Sequence, residues 1–220
     1  RGADDNTLVY NETDDGTETL FHIDKEGYYF ITVDVEKLTI ASEYPESIYE
    51  KVWAIGNATP AGWTIMNAVK LKKINNIQFV YEGDLYEGEL KFPLDLRGEN
   101  NWNIPYLMPK TNDTEPGGDN TMEYVEDEKA VAHDYKWKIT ESQAGSYKII
   151  LDTYLMEITF EKIEIPDNLP IKAVWMTGDA TATKWDTPFK IAFQYNPDEK
   201  EGTFVWEGHL DQGEIKFPLS

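Results

Sequence analysis

The sequence predicts an all-β protein built from tandem β-sandwich modules. Two observations carry this prediction: short runs in which every second residue is apolar, and a long stretch of sequence that occurs twice. Aromatic residues make up 13% of the chain, whereas the periodicity of amphipathic helices is nearly absent. Short alternating strands separated by turn residues are typical of sandwiches.

The alternating runs locate three strands directly. They read YYFITVDV, KWKIT and EITFEKIEI, at 28–35, 136–140 and 157–165. Because successive side chains of a strand point to opposite faces, each run is predicted to bury one face only. Gly, Asn, Asp and Pro cluster between such runs and are predicted to form the turns.

The repeat is clearest in a predicted hairpin near the middle and its copy at the end of the sequence. FVYEGDLYEGELKFPLD at 79–95 and FVWEGHLDQGEIKFPLS at 204–220 agree at 11 of 17 positions. Alternation predicts that the core side of the first copy consists of Phe79, Tyr81, Leu85, Leu90, Phe92 and Leu94. The opposite side, facing solvent or a site, carries Glu89 and Lys91, and Glu214 and Lys216 in the second copy.

The match continues upstream of the hairpin, so nearly the whole chain consists of two copies with a period of roughly 120 residues. If a module begins at the VWxxG strand, 46–166 is a complete module, 1–45 is the C-terminal part of one, and 167–220 is the N-terminal part of a further one. Proline in SEYPES and IPDNLP favours this division, whereas EPGGDN favours a boundary near 115–120. We predict that 167–220 and 1–45 complete one sandwich, within a chain or by self-association.

The charge of the chain restricts its partners. Lys plus Arg number 20 against 41 Asp plus Glu, a formal charge of −21, which repels nucleic acid and anionic membrane surfaces. The chain has no Cys, which excludes disulfides and thiolate chemistry. No apolar run approaches the length of a membrane span.

Two loops end on tryptophan: VWAIGNATPAGW at 52–63 and VWMTGDATATKW at 174–185. Trp63 and Trp185 are either exposed binding platforms or core anchors, and both interpretations stay open from the sequence. Lys184 stands where the first copy has Gly62, which predicts a different loop shape. The tryptophans predicted to serve packing alone are Trp53, Trp137, Trp175 and Trp206.

The motifs GNATPAGW, GELKF, ENNWNIP and GSYKIILDTYLMEITF resemble the surface starch-binding lipoproteins of the Bacteroidetes starch-utilisation system, of the SusE and SusF type. The resemblance covers almost the whole chain. It implies tandem immunoglobulin-like modules that hold α-glucan outside the cell without cleaving it. It also implies an outer-membrane lipoprotein at the cell surface, whose anchor is not in the given chain, and the outer-membrane glycan-uptake machinery as a partner.

The resemblance also implies the site residues. An aromatic platform in that family is flanked by a basic side chain that donates to sugar hydroxyls. By motif position the platform is Trp63 with Trp102, and the donor is Lys91. In the second copy the corresponding residues are Trp185 and Lys216, and the chain holds no counterpart of Trp102.

Physical chemistry supports sugar binding independently, because an indole face complements the polarised C–H groups of a pyranose ring. Carboxylate pairs are expected from composition alone and lie in no catalytic motif, and the three His residues lack metal-ligand spacing. We therefore predict no enzyme activity, no cofactor and no metal. The alternatives are a structural or adhesion spacer with buried tryptophans, and an accessory domain of a polysaccharide hydrolase.

Overall fold

The computed structural model describes residues 22–98, 101–126, 133–181, 184–185, 191–196, 200, 202–206 and 208–219. Within these residues the only helices are two single 3₁₀ turns, Ile65–Asn67 and Glu141–Gln143. The strands are β1 Phe30–Asp34, β2 Thr39–Glu43, β3 Trp53–Ala54, β4 Val69–Lys70, β5 Lys72–Lys73, β6 Gln78–Leu85, β7 Gly88–Leu90, β8 Phe92–Pro93, β9 Tyr106–Pro109, β10 Met122–Val125, β11 Trp137–Ile139, β12 Gly145–Asp152, β13 Glu157–Lys162, β14 Trp175–Met176, β15 Ile191–Ala192, β16 Gln194–Tyr195 and β17 Phe204–Val205. The all-β prediction is confirmed. None of the described helices is long and apolar enough to cross a membrane.

The three longest strands and the short strand β5 form one antiparallel sheet in the order β13, β12, β6, β5. Strand β6 buries Phe79, Tyr81 and Leu85, as its alternation predicted. Strand β12 runs antiparallel beside it and places the buried side chain of Ile149 opposite Tyr81. This sheet therefore supplies one wall of the main core.

Shorter strands supply the facing wall. They form the sheet β10, β9, β8 and the pairs β11–β7 and β3–β4. Leu90 and Phe92 are fully buried in the main core, and Leu94 packs against it while partly exposed, in agreement with the predicted core side of the hairpin. Trp137 of β11 packs edge-on against Phe92, with ring centroids 5.2 Å apart.

A second, smaller core lies next to the main one. Its buried residues are Ile55, Ile65, Ile104, Tyr106, Met108 and Val125. Trp102 packs against this cluster while remaining partly exposed. The smaller core thus forms the floor beneath the loop that ends at Trp63.

The two end segments form their own hairpins. The β1–β2 hairpin is attached to 46–166 by Asn76, whose side chain bonds both backbone groups of Tyr28, and by contact between the rings of Phe30 and Tyr154. Strands β14–β15 and β16–β17 pair in the last segment. No strand pairing joins 22–45 to the described residues of 167–219, so mutual completion of these segments stays a prediction.

Candidate functional site

The loop before Trp63 is held by backbone hydrogen bonds at its base. The N–H of Gly56 donates to the carbonyl of Gly62 at 2.9 Å, and the buried Thr59 hydroxyl donates to the carbonyl of Gly56 at 2.9 Å. Gly62 has φ of 55°, a left-handed conformation that turns the chain back toward the sheet. Trp63 therefore directly follows a turn that is closed by hydrogen bonds.

The loop before Trp185 has the same construction, which corrects the expectation of a different shape. The N–H of Gly178 donates to the carbonyl of Lys184 at 2.9 Å, and the Thr181 hydroxyl donates to the carbonyl of Gly178 at 2.9 Å. Lys184 adopts φ of 53°, the left-handed conformation that Gly62 adopts in the first copy. The Lys184 ammonium also donates to the Asp179 carbonyl at 2.7 Å, within the same turn.

Trp63 and Trp102 meet as an angled pair. Their ring centroids lie 6.3 Å apart and their planes are inclined by 62°. Trp63 is 36% exposed, whereas Trp102 is partly buried against the smaller core. The structure therefore brings the two predicted platform residues together and leaves indole surface open to solvent.

Lys91 lies beside Trp102, and its burial excludes the solvent-facing alternative of the prediction for this side of the hairpin. Only 1% of the residue is exposed. Its Nζ lies 4.1 Å from the centroid of the Tyr106 ring and 5.8 Å from that of Trp102, distances at which a cation is attracted to an aromatic face. Alternation gave the correct face of the strand but could not show that the smaller core covers it.

A carboxylate compensates for the burial of this cation. The Nζ of Lys91 donates to Oδ1 of Asp134 at 2.7 Å, and the Nζ of Lys136 donates to Oδ2 at 2.8 Å. Burial raises the pKa of Asp134, but the hydrogen bonds from Lys136 and Lys91 outweigh it and hold that pKa below its ordinary value. Asp134 is therefore ionised at neutral pH and bridges the two ammonium groups.

Lys136 places a cation beside the exposed indole of Trp63. Its Nζ lies 5.9 Å from the centroid of the Trp63 ring. Besides the bond to the Asp134 side chain, it donates to the Asp134 carbonyl at 2.8 Å. An ammonium has three N–H donors, so one donor remains beside the indole.

The second copy places a cation beside its own tryptophan. The Nζ of Lys216 lies 5.5 Å from the centroid of the Trp185 ring, and Trp185 is 42% exposed. Lys216 itself is exposed, unlike Lys91. The corresponding lysine of the first copy, Lys91, is buried beside Trp102 and Tyr106, and the cation beside Trp63 is Lys136.

Sequence reasoning missed three residues of the first site: Tyr106, Asp134 and Lys136. A signal existed for Lys136, because alternation in KWKIT puts it on the face opposite the buried Trp137. Asp134 precedes the strand and carried no pattern that distinguishes it among 41 acidic residues. The remaining tryptophans follow their prediction in part: Trp137 is buried, and Trp53, Trp175 and Trp206 are partly buried.

No protein-family model, curated protein or solved structure gives a significant match to this chain. Among the described residues, no three His, Asp or Glu side chains are grouped closely enough to hold a metal ion.

Proposed function

We propose that this chain binds polysaccharide of the α-glucan type without cleaving it, through the angled indoles of Trp63 and Trp102. In this proposal it consists of tandem immunoglobulin-like carbohydrate-binding modules. It works at a bacterial cell surface as part of an outer-membrane lipoprotein that delivers glycan to uptake machinery.

The main support for this proposal is the angle between the two indoles, whose planes are inclined by 62° and whose centroids lie 6.3 Å apart. Each indole face suits the C–H face of one sugar ring, since polarised C–H groups complement its negative face. An inclined pair fits successive sugars that turn relative to one another, as they do along a curved α-linked chain. A flat, extended chain would lie on one of the two rings only.

The polar part of the site supports the same proposal and assigns separate roles to its two lysines. Lys136 has a donor available beside the Trp63 ring and is the group that we expect to bond a sugar hydroxyl. Lys91 is buried and holds Asp134, so its role is to position Lys136 through that carboxylate. The family resemblance implied that Lys91 donates to sugar hydroxyls, and this proposal assigns that donation to Lys136 instead.

Repetition of the loop favours a binder over a catalyst. Trp185 and Lys216 offer a second exposed indole with a cation beside it. A shallow surface buries little ligand, so each site is expected to bind in the millimolar to micromolar range, on the order of −4 to −8 kcal/mol. Two sites engaged by one polysaccharide gain affinity from effective concentration.

Calorimetric titration with maltoheptaose tests the proposal directly. We expect saturable binding by the parent chain and at least a tenfold loss in Trp63→Ala or Trp102→Ala, each of which removes one stacking face. Lys136→Met is expected to weaken binding severalfold while leaving the indoles in place. Tyr86→Ala is the matched control, because Tyr86 is an exposed aromatic outside the indole pair.

Absence of binding to maltoheptaose and to amylose would contradict the proposal and favour a structural or adhesion role. An equal loss in Tyr86→Ala and Trp63→Ala would contradict the assigned site. Release of reducing sugar from amylose by the purified chain would contradict the non-catalytic part of the proposal.

A further inference from the structure

We propose that His133 is a positioning residue of the sugar site, and that its hydrogen bond to Glu123 makes the affinity for glycan depend on pH. Protonation of the imidazole strengthens this bond and thereby fixes Lys136 beside Trp63. This role rests on the proposed function, since Lys136 is the group that we expect to bond a sugar hydroxyl.

Lys136 is the last residue of a segment, 133–136, that belongs to no strand and directly precedes strand β11. Its N–H donates to Oδ1 of Asn112 at 3.0 Å, and its carbonyl accepts from the Asp113 N–H at 3.0 Å. These bonds hold the C-terminal end of the segment. Its first residue, His133, is held by side-chain contacts.

His133 has two side-chain partners. Its Nε2 lies 2.8 Å from Oε1 of Glu123, and its ring stacks on that of Tyr135, with centroids 4.2 Å apart and planes inclined by 21°. The His133 and Glu123 side chains are only 26% and 31% exposed, so water screens their interaction only in part. Asp134 lies between His133 and Tyr135 in the chain, so these contacts help to fix the carboxylate that bridges the two lysines.

Glu123 is itself held by the sheet that supports the rest of the site. It lies on strand β10 opposite Met108 of strand β9, and Met108 is fully buried in the smaller core. Strand β9 also carries Tyr106, whose ring lies against the Lys91 ammonium. The β9–β10 pair therefore contacts both Lys91 and His133, and it places them relative to one another.

Both contacts of His133 are stronger when its imidazole is charged. An imidazolium and a carboxylate form a charge-assisted hydrogen bond, which is stronger than one from a neutral ring. A cation is also attracted to the face of an aromatic ring such as that of Tyr135. Protonation of His133 therefore tightens the segment that carries Lys136.

The pH range follows from the groups around the imidazole. Histidine ordinarily changes charge between about pH 5 and pH 8, whereas carboxyl groups ordinarily titrate below about pH 5 and tyrosine and lysine above about pH 9. The titratable groups against His133 are Glu123 on β10 and Tyr135 in its own segment. Asp134, the next residue, has a pKa held below its ordinary value by Lys136 and Lys91. Affinity is therefore expected to rise as the pH falls from about 8 to about 5.5.

Calorimetric titration with maltoheptaose at about pH 8 and about pH 5.5 tests this role. The Trp185→Ala chain serves as the parent, because the second copy has a histidine of its own, His209, which lies 3.4 Å from Asp211 of the Lys184 ion pair. We expect this parent to bind roughly threefold more tightly, or better, at the lower pH.

Two variants remove the pH dependence by different routes. Glu123→Gln keeps an oxygen acceptor of similar size without the charge, and His133→Gln keeps a donor that does not titrate. Each is expected to bind with the same affinity at both pH values, at the weaker level of the parent at about pH 8. His22→Gln is the matched control, because His22 is an exposed histidine that pairs with Asp24 rather than with a site residue, and it should keep the parent profile.

Amide hydrogen exchange without sugar measures the segment itself. Protection of the Lys136 N–H, corrected for the intrinsic pH dependence of exchange, is expected to be roughly threefold greater at about pH 5.5 than at about pH 8 in the parent. In Glu123→Gln the protection should be equal at the two pH values.

Equal parent affinity at the two pH values, or a parent profile retained in both Glu123→Gln and His133→Gln, would overturn the role of His133. A profile lost to the same extent in His22→Gln would also overturn it. If the chain binds no maltoheptaose at either pH, the proposed function fails and hydrogen exchange decides the rest. Protection that depends on pH only while Glu123 is present then supports the proposed bond, and protection independent of pH overturns it.

Discussion

The ammonium of Lys91 lies 2.7 Å from Oδ1 of Asp134, beneath the indole pair rather than at its surface. A buried cation with a partly exposed carboxylate is stabilised by that hydrogen bond and by the aromatic faces around it. This relationship makes Lys91 a structural support for the residues that we propose to contact a ligand.

Lys91→Met is therefore expected to weaken both folding and binding. Methionine fills a similar volume but cannot donate to Asp134, so we expect a loss of about 1–2 kcal/mol in the free energy of unfolding. Binding of maltoheptaose should weaken because Asp134 no longer fixes Lys136. Urea denaturation and calorimetry measure the two effects, and a variant with parent stability and parent affinity would contradict this role.

Lys216→Met, the same change in the second copy, is expected to behave differently. Lys216 is exposed, so its removal should leave the free energy of unfolding within about 0.5 kcal/mol of the parent. It should lower affinity only at the Trp185 site. Measuring this in a Trp63→Ala background isolates that site, and an unfolding loss as large as that of Lys91→Met would contradict the difference in burial.

The contrast between Lys91 and Lys216 shows where sequence reasoning stops. Alternation put both lysines of the repeated GELKF and GEIKF motifs on the side of the strand opposite the hairpin core, and the family resemblance implied that each lies beside a tryptophan platform. Burial of Lys91, however, depends on Tyr106 and Trp102, which come from a segment that the second copy does not contain. Period-2 patterning assigns a face to a side chain, but it does not show which neighbouring element covers that face.

The loop before Trp185 shows the opposite case, in which a difference in sequence leaves the conformation of the loop unchanged. Replacement of Gly62 by Lys184 suggested a new shape, because a side chain disfavours positive φ. Hydrogen bonds at the base of the loop, from Gly178 and Thr181, are retained and fix the turn. These hydrogen bonds within the loop thus outweigh the cost of a left-handed backbone at a residue with a side chain, which is about 1–2 kcal/mol.

The lowered pKa of Asp134 predicts an acid-dependent loss of stability. Its ordinary pKa is 3.8, and the folded value lies lower because Lys136 and Lys91 bond the carboxylate against the opposing effect of burial. The unfolded chain therefore binds the proton more readily, so this contribution is complete well above pH 3.8 and is lost as the pH falls through the folded pKa. We expect Asp134→Asn to reduce the decline of unfolding free energy between about pH 5 and pH 2. Glu36→Gln, an exposed acidic position, is the control, and an unchanged decline in Asp134→Asn would contradict the assignment.

Two glycines of the first loop are expected to respond very differently to alanine. A Cβ on Gly56 would lie 2.0 Å from the carbonyl oxygen of Glu89, which is backbone and cannot yield. A Cβ on Gly62 would meet nothing within 4 Å, so only the left-handed backbone, with φ of 55°, opposes the change. Gly62→Ala should therefore cost about 1 kcal/mol of unfolding free energy.

Gly56→Ala should cost several times more, about 3 kcal/mol or above, because strand β7 must move away from the loop. Gly178 is its repeat counterpart, with a Cβ at 2.0 Å from the Glu214 carbonyl oxygen, and Gly178→Ala should reproduce the larger effect locally. Thermal unfolding of the three variants tests the order. Equal costs for Gly56→Ala and Gly62→Ala would mean that close backbone approach does not maintain the loop that carries Trp63.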